Sequence, residues 1–188
     1  MVCIIKHFGD FSLSLINMSK SNNKIKDVTN MLFVKEGKIL LGYKKRGFGM
    51  GKYNGFGGKP QGDETIVEAA IREAHEEAGL LIQRCHLVAI VDFGESYLLR
   101  MHVYIATEWM GQIVETDEML PQWFNISEIP YSKMWKDDFY WLPLVLNGKK
   151  IKATFKFMNN DDTLGTADND IIDYRIEERD FDNDSSAD

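Results

Sequence analysis

Cysteine is nearly missing from this chain: Cys3 and Cys85 are the only two in 188 residues. Two isolated thiols build no disulfide framework, and a reducing compartment fits best. No apolar run approaches the roughly 20 residues of a membrane span, so no membrane partner is expected. Internal repeats are absent too. Arginine is missing from the first 17 residues, MVCIIKHFGDFSLSLIN, and no small-residue cleavage site follows them. Those residues therefore read neither as a mitochondrial presequence nor as a secretory signal. Nor is there a basic excess of the kind that binds polymeric nucleic acid: the formal net charge is −7. That charge sits in one place. Residues 159–188 hold eleven acids and two bases, and the rest of the chain holds eighteen acids and twenty bases. The body is nearly balanced, so nothing in it repels a phosphorylated ligand at long range. The acidic segment reads as a solvating tail.

What is present is ordinary for a soluble globular protein: 44% hydrophobic and 27% charged residues, in a length that suits one domain. We expect a flexible N-terminal arm over 1–25, one domain over 26–179 and an acidic disordered tail over 180–188. Strand-like runs lie at Val28–Val34 and Ile39–Tyr43, split by the turn Lys35–Lys38. A glycine-rich loop from Gly47 to Gly62 leads into a helix over Glu64–Ala78, which Gly79 closes. His86–Phe93 and Tyr97–Ala106 read as a hairpin around Gly94-Glu95. Asp138–Leu146 reads as a helix despite Pro143. Ile151–Phe157 reads as a strand, with Ile171–Ile176 as its partner and a polar, turn-forming segment, 159–170, between them. The sum is α+β, with helices on a strand-built core.

At about 100° per residue, Glu73, Glu76 and Glu77 fall within one arc of the helix, and Val67, Ile71, Ala74 and Ala78 within another. The helix can then pack by one face and present three carboxylates on the other, with Arg72 placed to brace Glu68 and Glu76. Converging carboxylates repel one another unless a cation lies among them. Hard oxygen donors suit Mg²⁺ or Mn²⁺, ions that neutralise a polyphosphate and activate water. A pair of adjacent glutamates alone is more often a solvated face. The full spacing says more: Gly58-x5-Glu64-x7-Arg72-Glu73-Ala74-x-Glu76-Glu77-x-Gly79-Leu80.

That spacing resembles the signature of the Nudix hydrolases, with only Ala74 smaller than the aliphatic residue usual there. The resemblance implies an α/β/α sandwich with a mixed sheet, and metal-dependent cleavage of a nucleoside diphosphate linked to another moiety. It assigns Glu73, Glu76 and Glu77 as metal ligands and catalytic residues, joined by the Gly57 carbonyl, with Glu64 and Arg72 in support. Glu118, in Glu115-Thr116-Asp117-Glu118-Met119, matches a further ligand or base. Whether Glu77 or Glu118 takes the water's proton stays open. Mg²⁺ is the expected ion, with Mn²⁺ as a substitute.

The flanks carry the substrate. Tyr43–Gly49, Lys52–Lys59 and Met134–Pro143 resemble the animal members of that family that hydrolyse oxidised purine nucleoside triphosphates. The expected substrates are 8-oxo-dGTP and 2-hydroxy-dATP. Their expected contacts are Thr29, Lys44, Phe48, Asn54, Phe56, Gly57, Gly58, Lys59, Phe93, Trp135, Lys136, Asp137 and Asp138. Bottom-up, Trp135 and Phe48 can wall a flat base, Phe93 can floor it, and Asn54 offers both a donor and an acceptor. A buried Asp137–Asp138 pair can share one proton, donating to a 6-oxo group or accepting from a 6-amino group. Lys136 and Leu99 depart from the mammalian pattern, and a Lys136 ammonium beside the pair would favour its ionised form. A Nudix enzyme for ADP-ribose or dinucleoside polyphosphates, or a non-catalytic nucleotide-binding module, stays open as an alternative. A monomer is expected, in the cytoplasm, with mitochondrial or nuclear pools as the alternatives.

Overall fold

The computed structural model describes residues 25–94, 99–158 and 170–181. The expectations for the arm up to residue 24, the turn at Glu95, the segment 159–169 and the tail from 182 lie outside these residues. Among the described residues, eight strands join one sheet: β1 (Lys26–Lys35), β2 (Lys38–Lys44), β3 (Tyr53–Asn54), β4 (Leu81–Phe93), β5 (Leu99–Met110), β6 (Met119–Asn125), β7 (Ile151–Phe157) and β8 (Ile171–Glu178). The order is β3-β2-β1-β5-β4-β7-β8, with β6 on the far edge of β2. β1 runs parallel to β5 and β4 parallel to β7, while the remaining pairs are antiparallel. The sheet is therefore mixed.

Alternation along the strands gives the sheet two apolar faces. On one, α1 (Ile66–Ala78) packs over Met31, Phe33, Leu40 and Phe56. On the other, Trp141, Leu142 and Val145 of α2 (Asp138–Leu146) pack over Leu32, Val91, Val103 and Phe155. This is the helix–sheet–helix layering expected from the sequence. Among the described residues no helix is long and apolar enough to cross a membrane.

Helix α1 starts two residues later than its composition predicts. Thr65 and Glu68 form a capping box that satisfies backbone donors at the start of the helix, and Gly79 closes the other end with φ 73°. Its packed face also differs. Val67 is exposed, and Ala69, Ala70, Ala74 and Ala78 are buried. Four small residues let the helix lie close to the sheet, and Glu77 falls inside the buried arc rather than opposite it. Glu68 is taken by the cap, so Arg72 braces Glu64 instead. Strand β6 is less legible in sequence because Pro121 interrupts it. Pairing only with β2 leaves it an edge strand, where a missing N–H is tolerated.

Candidate active site

The ends of β1 and β2, the glycine-rich loop, α1 and the start of α2 surround one cleft of about 660 Å³, a size that suits a nucleotide. Thr29, Lys44, Phe48, Asn54, Gly57, Gly58, Lys59, Glu73, Glu76, Glu77, Phe93, Glu118, Trp135, Asp137 and Asp138 all line it. Two residues expected here do not. The Phe56 side chain is fully buried beneath α1, and its contribution at this point of the chain is a backbone pairing with Met31. Lys136 carries its ammonium to Asp170, 2.7 Å away. A cation that acts on the aspartates is Lys52, which the sequence motif does not single out. Its Nζ donates to the Met134 carbonyl at 3.1 Å and stands 5.3 Å from the centre of the Trp135 ring.

The carboxylates are held by cations and by backbone. Glu77, 4% exposed, accepts from the Gly57 N–H at 2.9 Å and from the Lys44 ammonium at 2.8 Å. Lys44 also pairs with Glu118, which comes from the far side of the cleft just before β6. Arg72 binds Glu64 through two hydrogen bonds of 2.7 and 3.0 Å, and reaches Glu73 at 2.9 Å and Glu76 at 3.0 Å. Burial pushes the Glu77 carboxyl above its ordinary range, against the pull of Lys44 and Gly57. For Lys44, burial works to lower the pKa, but hydrogen bonds to Glu118 and Glu77 outweigh it and the ammonium is held firmly.

Among the described residues no three carboxylates are gathered tightly enough to ligate one ion as they stand. The donor set nevertheless fits a hard divalent cation. Four glutamates, Glu73, Glu76, Glu77 and Glu118, line one cleft, and a positive charge, the Lys44 ammonium, already bridges Glu77 and Glu118. The glycines of the loop make that approach possible. A Cβ at Gly58 would stand 2.4 Å from Glu73 Oε1, and one at Gly57 would stand 2.0 Å from the Thr29 carbonyl oxygen. The two alanine substitutions should therefore fail differently. Gly58→Ala displaces a side chain and should cost roughly tenfold or more in kcat with the fold intact. Gly57→Ala collides with backbone and should lower stability by about 1–3 kcal/mol. Thermal melting and steady-state kinetics on both variants check this.

Phe48 and Trp135 stack on one another with ring centroids 5.1 Å apart. Phe48 is 64% exposed, so it forms the outer lip of the cleft. Phe93 stacks against Phe155 and Phe157 and lines the inner wall with Leu99 and Met101. Asp137 and Asp138 are almost fully buried. Asp138 Oδ2 accepts from the Trp135 N–H at 3.1 Å, and Asp137 Oδ2 accepts from the Trp141 indole at 3.1 Å. Burial raises both: Asp137 to about 6, and Asp138 well above its ordinary value with the neighbouring Asp137 charge adding to it. Burial and mutual repulsion therefore favour a pair that keeps a proton over one that is fully ionised.

A family model described as the NUDIX domain matches residues 24–145. The chain belongs to the Nudix family. Two curated Nudix relatives are named oxidized purine nucleoside triphosphate hydrolase. The one from Danio rerio is 48% identical over 137 residues, 71% of this chain and 88% of the relative. The one from Mus musculus is 44% identical over 139 residues, 72% of this chain and 89% of the relative. Among solved structures, a MutT protein from Bacillus halodurans shares the fold with a TM-score of 0.68 at 24% identity. That match covers 81% of this chain and 98% of the other. The Nudix match ends at Val145, within α2, so the pair β7–β8 lies beyond it.

Proposed function

We propose that this Nudix enzyme hydrolyses oxidised purine nucleoside triphosphates, 8-oxo-dGTP foremost and 2-hydroxy-dATP with it. The products are the nucleoside monophosphate and pyrophosphate, and the effect is to cleanse the nucleotide pool of mutagenic precursors. One observation carries this reading: a single cleft is lined both by the carboxylate–ammonium cluster and by the stacked Phe48–Trp135 pair with the protonatable aspartates. The first part can cleave a polyphosphate and the second can hold an oxidised purine. The names of the two curated relatives support the same substrate class.

Nudix hydrolases work with divalent metal ions, and here Glu73, Glu76, Glu77 and Glu118 would hold Mg²⁺, with Mn²⁺ as a substitute. When bound, the ion supplies charge neutralisation for the polyphosphate and a lower pKa for attacking water. The chain's own residues do the rest. Arg72 keeps Glu73 and Glu76 in place, and Lys44 keeps Glu77 and Glu118 facing each other. Water attacks the β-phosphorus, the bond to the α–β bridging oxygen breaks, and a carboxylate at the Lys44 bridge takes the water's proton. Trp135 and Phe48 exclude solvent from the base. The near absence of cysteine suits the cytoplasm as the working compartment.

The test is product release from 8-oxo-dGTP, 2-hydroxy-dATP, dGTP and ADP-ribose, each with Mg²⁺ and with EDTA. We expect kcat/KM for 8-oxo-dGTP to exceed that for dGTP by about tenfold or more, with no turnover in EDTA. Equal values for dGTP and 8-oxo-dGTP would remove the sanitation role.

A further inference from the structure

Strand β1 carries an amide in the middle of its buried stretch: Asn30 is 3% exposed, between Thr29 and Met31. It does not line the cleft itself. Its amino group donates to Asn54 Oδ1 at 3.4 Å and to Met101 Sδ at 3.7 Å, and both of those partners do line the cleft. Asn30 Oδ1 is buried with no hydrogen-bond partner. It lies against Gly55, 1.9 Å from where a Cβ would stand there.

The orientation of both amides follows from one backbone group. The Gly55 N–H donates to Asn54 Oδ1 at 3.0 Å, which fixes that atom as the acceptor. Asn30 must then turn its amino group towards Asn54, since its carbonyl would set acceptor against acceptor. The arrangement leaves a buried carbonyl unpaired, which costs free energy that the Asn30–Asn54 contact must offset. It also occupies both lone pairs of Asn54 Oδ1. The sequence expectation that Asn54 offers a donor and an acceptor is corrected accordingly: its amino group alone is left for a ligand.

We propose that Asn30 is a positioning residue that sets base specificity by locking the Asn54 amide with its carbonyl inward. The site then reads a hydrogen-bond acceptor on the base edge, such as a ring nitrogen or an exocyclic oxygen. This inference rests on the proposed hydrolysis of oxidised purine triphosphates.

The experiment is a double-mutant cycle with Asn30→Leu, Asn54→Ala and the pair, read as kcat, KM and melting temperature on 8-oxo-dGTP. Calorimetric binding of the product, 8-oxo-dGMP, is read alongside. Asn30→Leu should raise KM about fivefold and weaken product binding to match, with kcat within about twofold of wild type. It should not lower the melting temperature, because the unpaired carbonyl goes with the amide. In the Asn54→Ala background the same change should move KM by less than about twofold. If leucine prevents folding, Asn30→Ala removes the amide without added bulk and completes the same cycle. Equal effects in both backgrounds, an unchanged KM, or a joint fall of kcat and melting temperature would overturn the proposal. A wild-type enzyme without preference for 8-oxo-dGTP over dGTP would instead refute the function, and the cycle is then run on the purine triphosphate turned over best.

Discussion

Glu77→Gln is expected to reduce turnover of 8-oxo-dGTP by on the order of 10²–10⁴-fold while nucleotide binding and the fold are retained. The size follows from where Glu77 sits. It is the most buried carboxylate of the cluster, and its two oxygens are divided between the Gly57 N–H and the Lys44 ammonium. Glutamine keeps the volume, and its carbonyl can still accept from Gly57. Its amino group must then face Lys44, donor against donor, and a charge that helps hold the divalent ion is gone. The base and the triphosphate touch other side chains, so substrate affinity should change far less than rate. Measuring kcat at saturating Mg²⁺, calorimetric binding of a nucleotide and a thermal melt separates these effects. Turnover at the wild-type rate would remove Glu77 from both metal and base duty.

The local parts of this site are legible in the sequence and the distant parts are not. Glu73, Glu76 and Glu77 share a helix, so their spacing alone places them together. Lys44 and Glu118 meet only because β2 pairs with β6, a strand hidden by Pro121. Lys52 and Lys136 show the same limit from the other side. Lys136 adjoins Asp137 in sequence yet reaches for Asp170, while Lys52, on the glycine-rich loop, is a cation the aspartates feel. For long flexible side chains, sequence adjacency sets little. The place of Phe56 in the motif suggests a substrate contact, but alternation along its bridge with Met31 turns it under α1. On α1, aliphatic size points to Val67 as a packed residue, whereas close approach to the sheet selects alanine. Ala70 packs and Val67 does not, which also buries Glu77. The layers of the fold came through well because they depend on period-2 and period-3.6 patterns. Asn30 left one signal, a polar residue inside an apolar strand.

Asp138→Asn is expected to shift selectivity towards 8-oxo-dGTP by about tenfold or more, and to flatten the dependence of stability on pH. The selectivity follows from the Trp135 N–H, which donates to Asp138 Oδ2. An asparagine at 138 must give its carbonyl to that donor and turn its amino group to the cleft. A permanent donor suits a 6-oxo purine and opposes a 6-amino one, whereas the native pair can serve either by moving one proton. One hydrogen bond in a buried site is worth about 1–3 kcal/mol, enough for the stated ratio. The stability effect has a definite sign. Both folded-state pKa values lie above the ordinary 3.8, Asp137 at about 6. Between pH 4 and 6 the folded protein therefore binds protons that the unfolded chain has released. Stability from this pair is present in full below about pH 4 and is lost as pH rises through 6 and beyond. Removing the ionisable group at 138 takes away its share and the repulsion it exerts on Asp137, so the variant should melt higher than wild type at pH 8 and about equally at pH 4. Kinetics on 8-oxo-dGTP and 2-hydroxy-dATP, with melts across that range, test both halves. An unchanged substrate ratio, or a shift towards 2-hydroxy-dATP, would eliminate the shared proton as the source of breadth even if the melting curves behave as described.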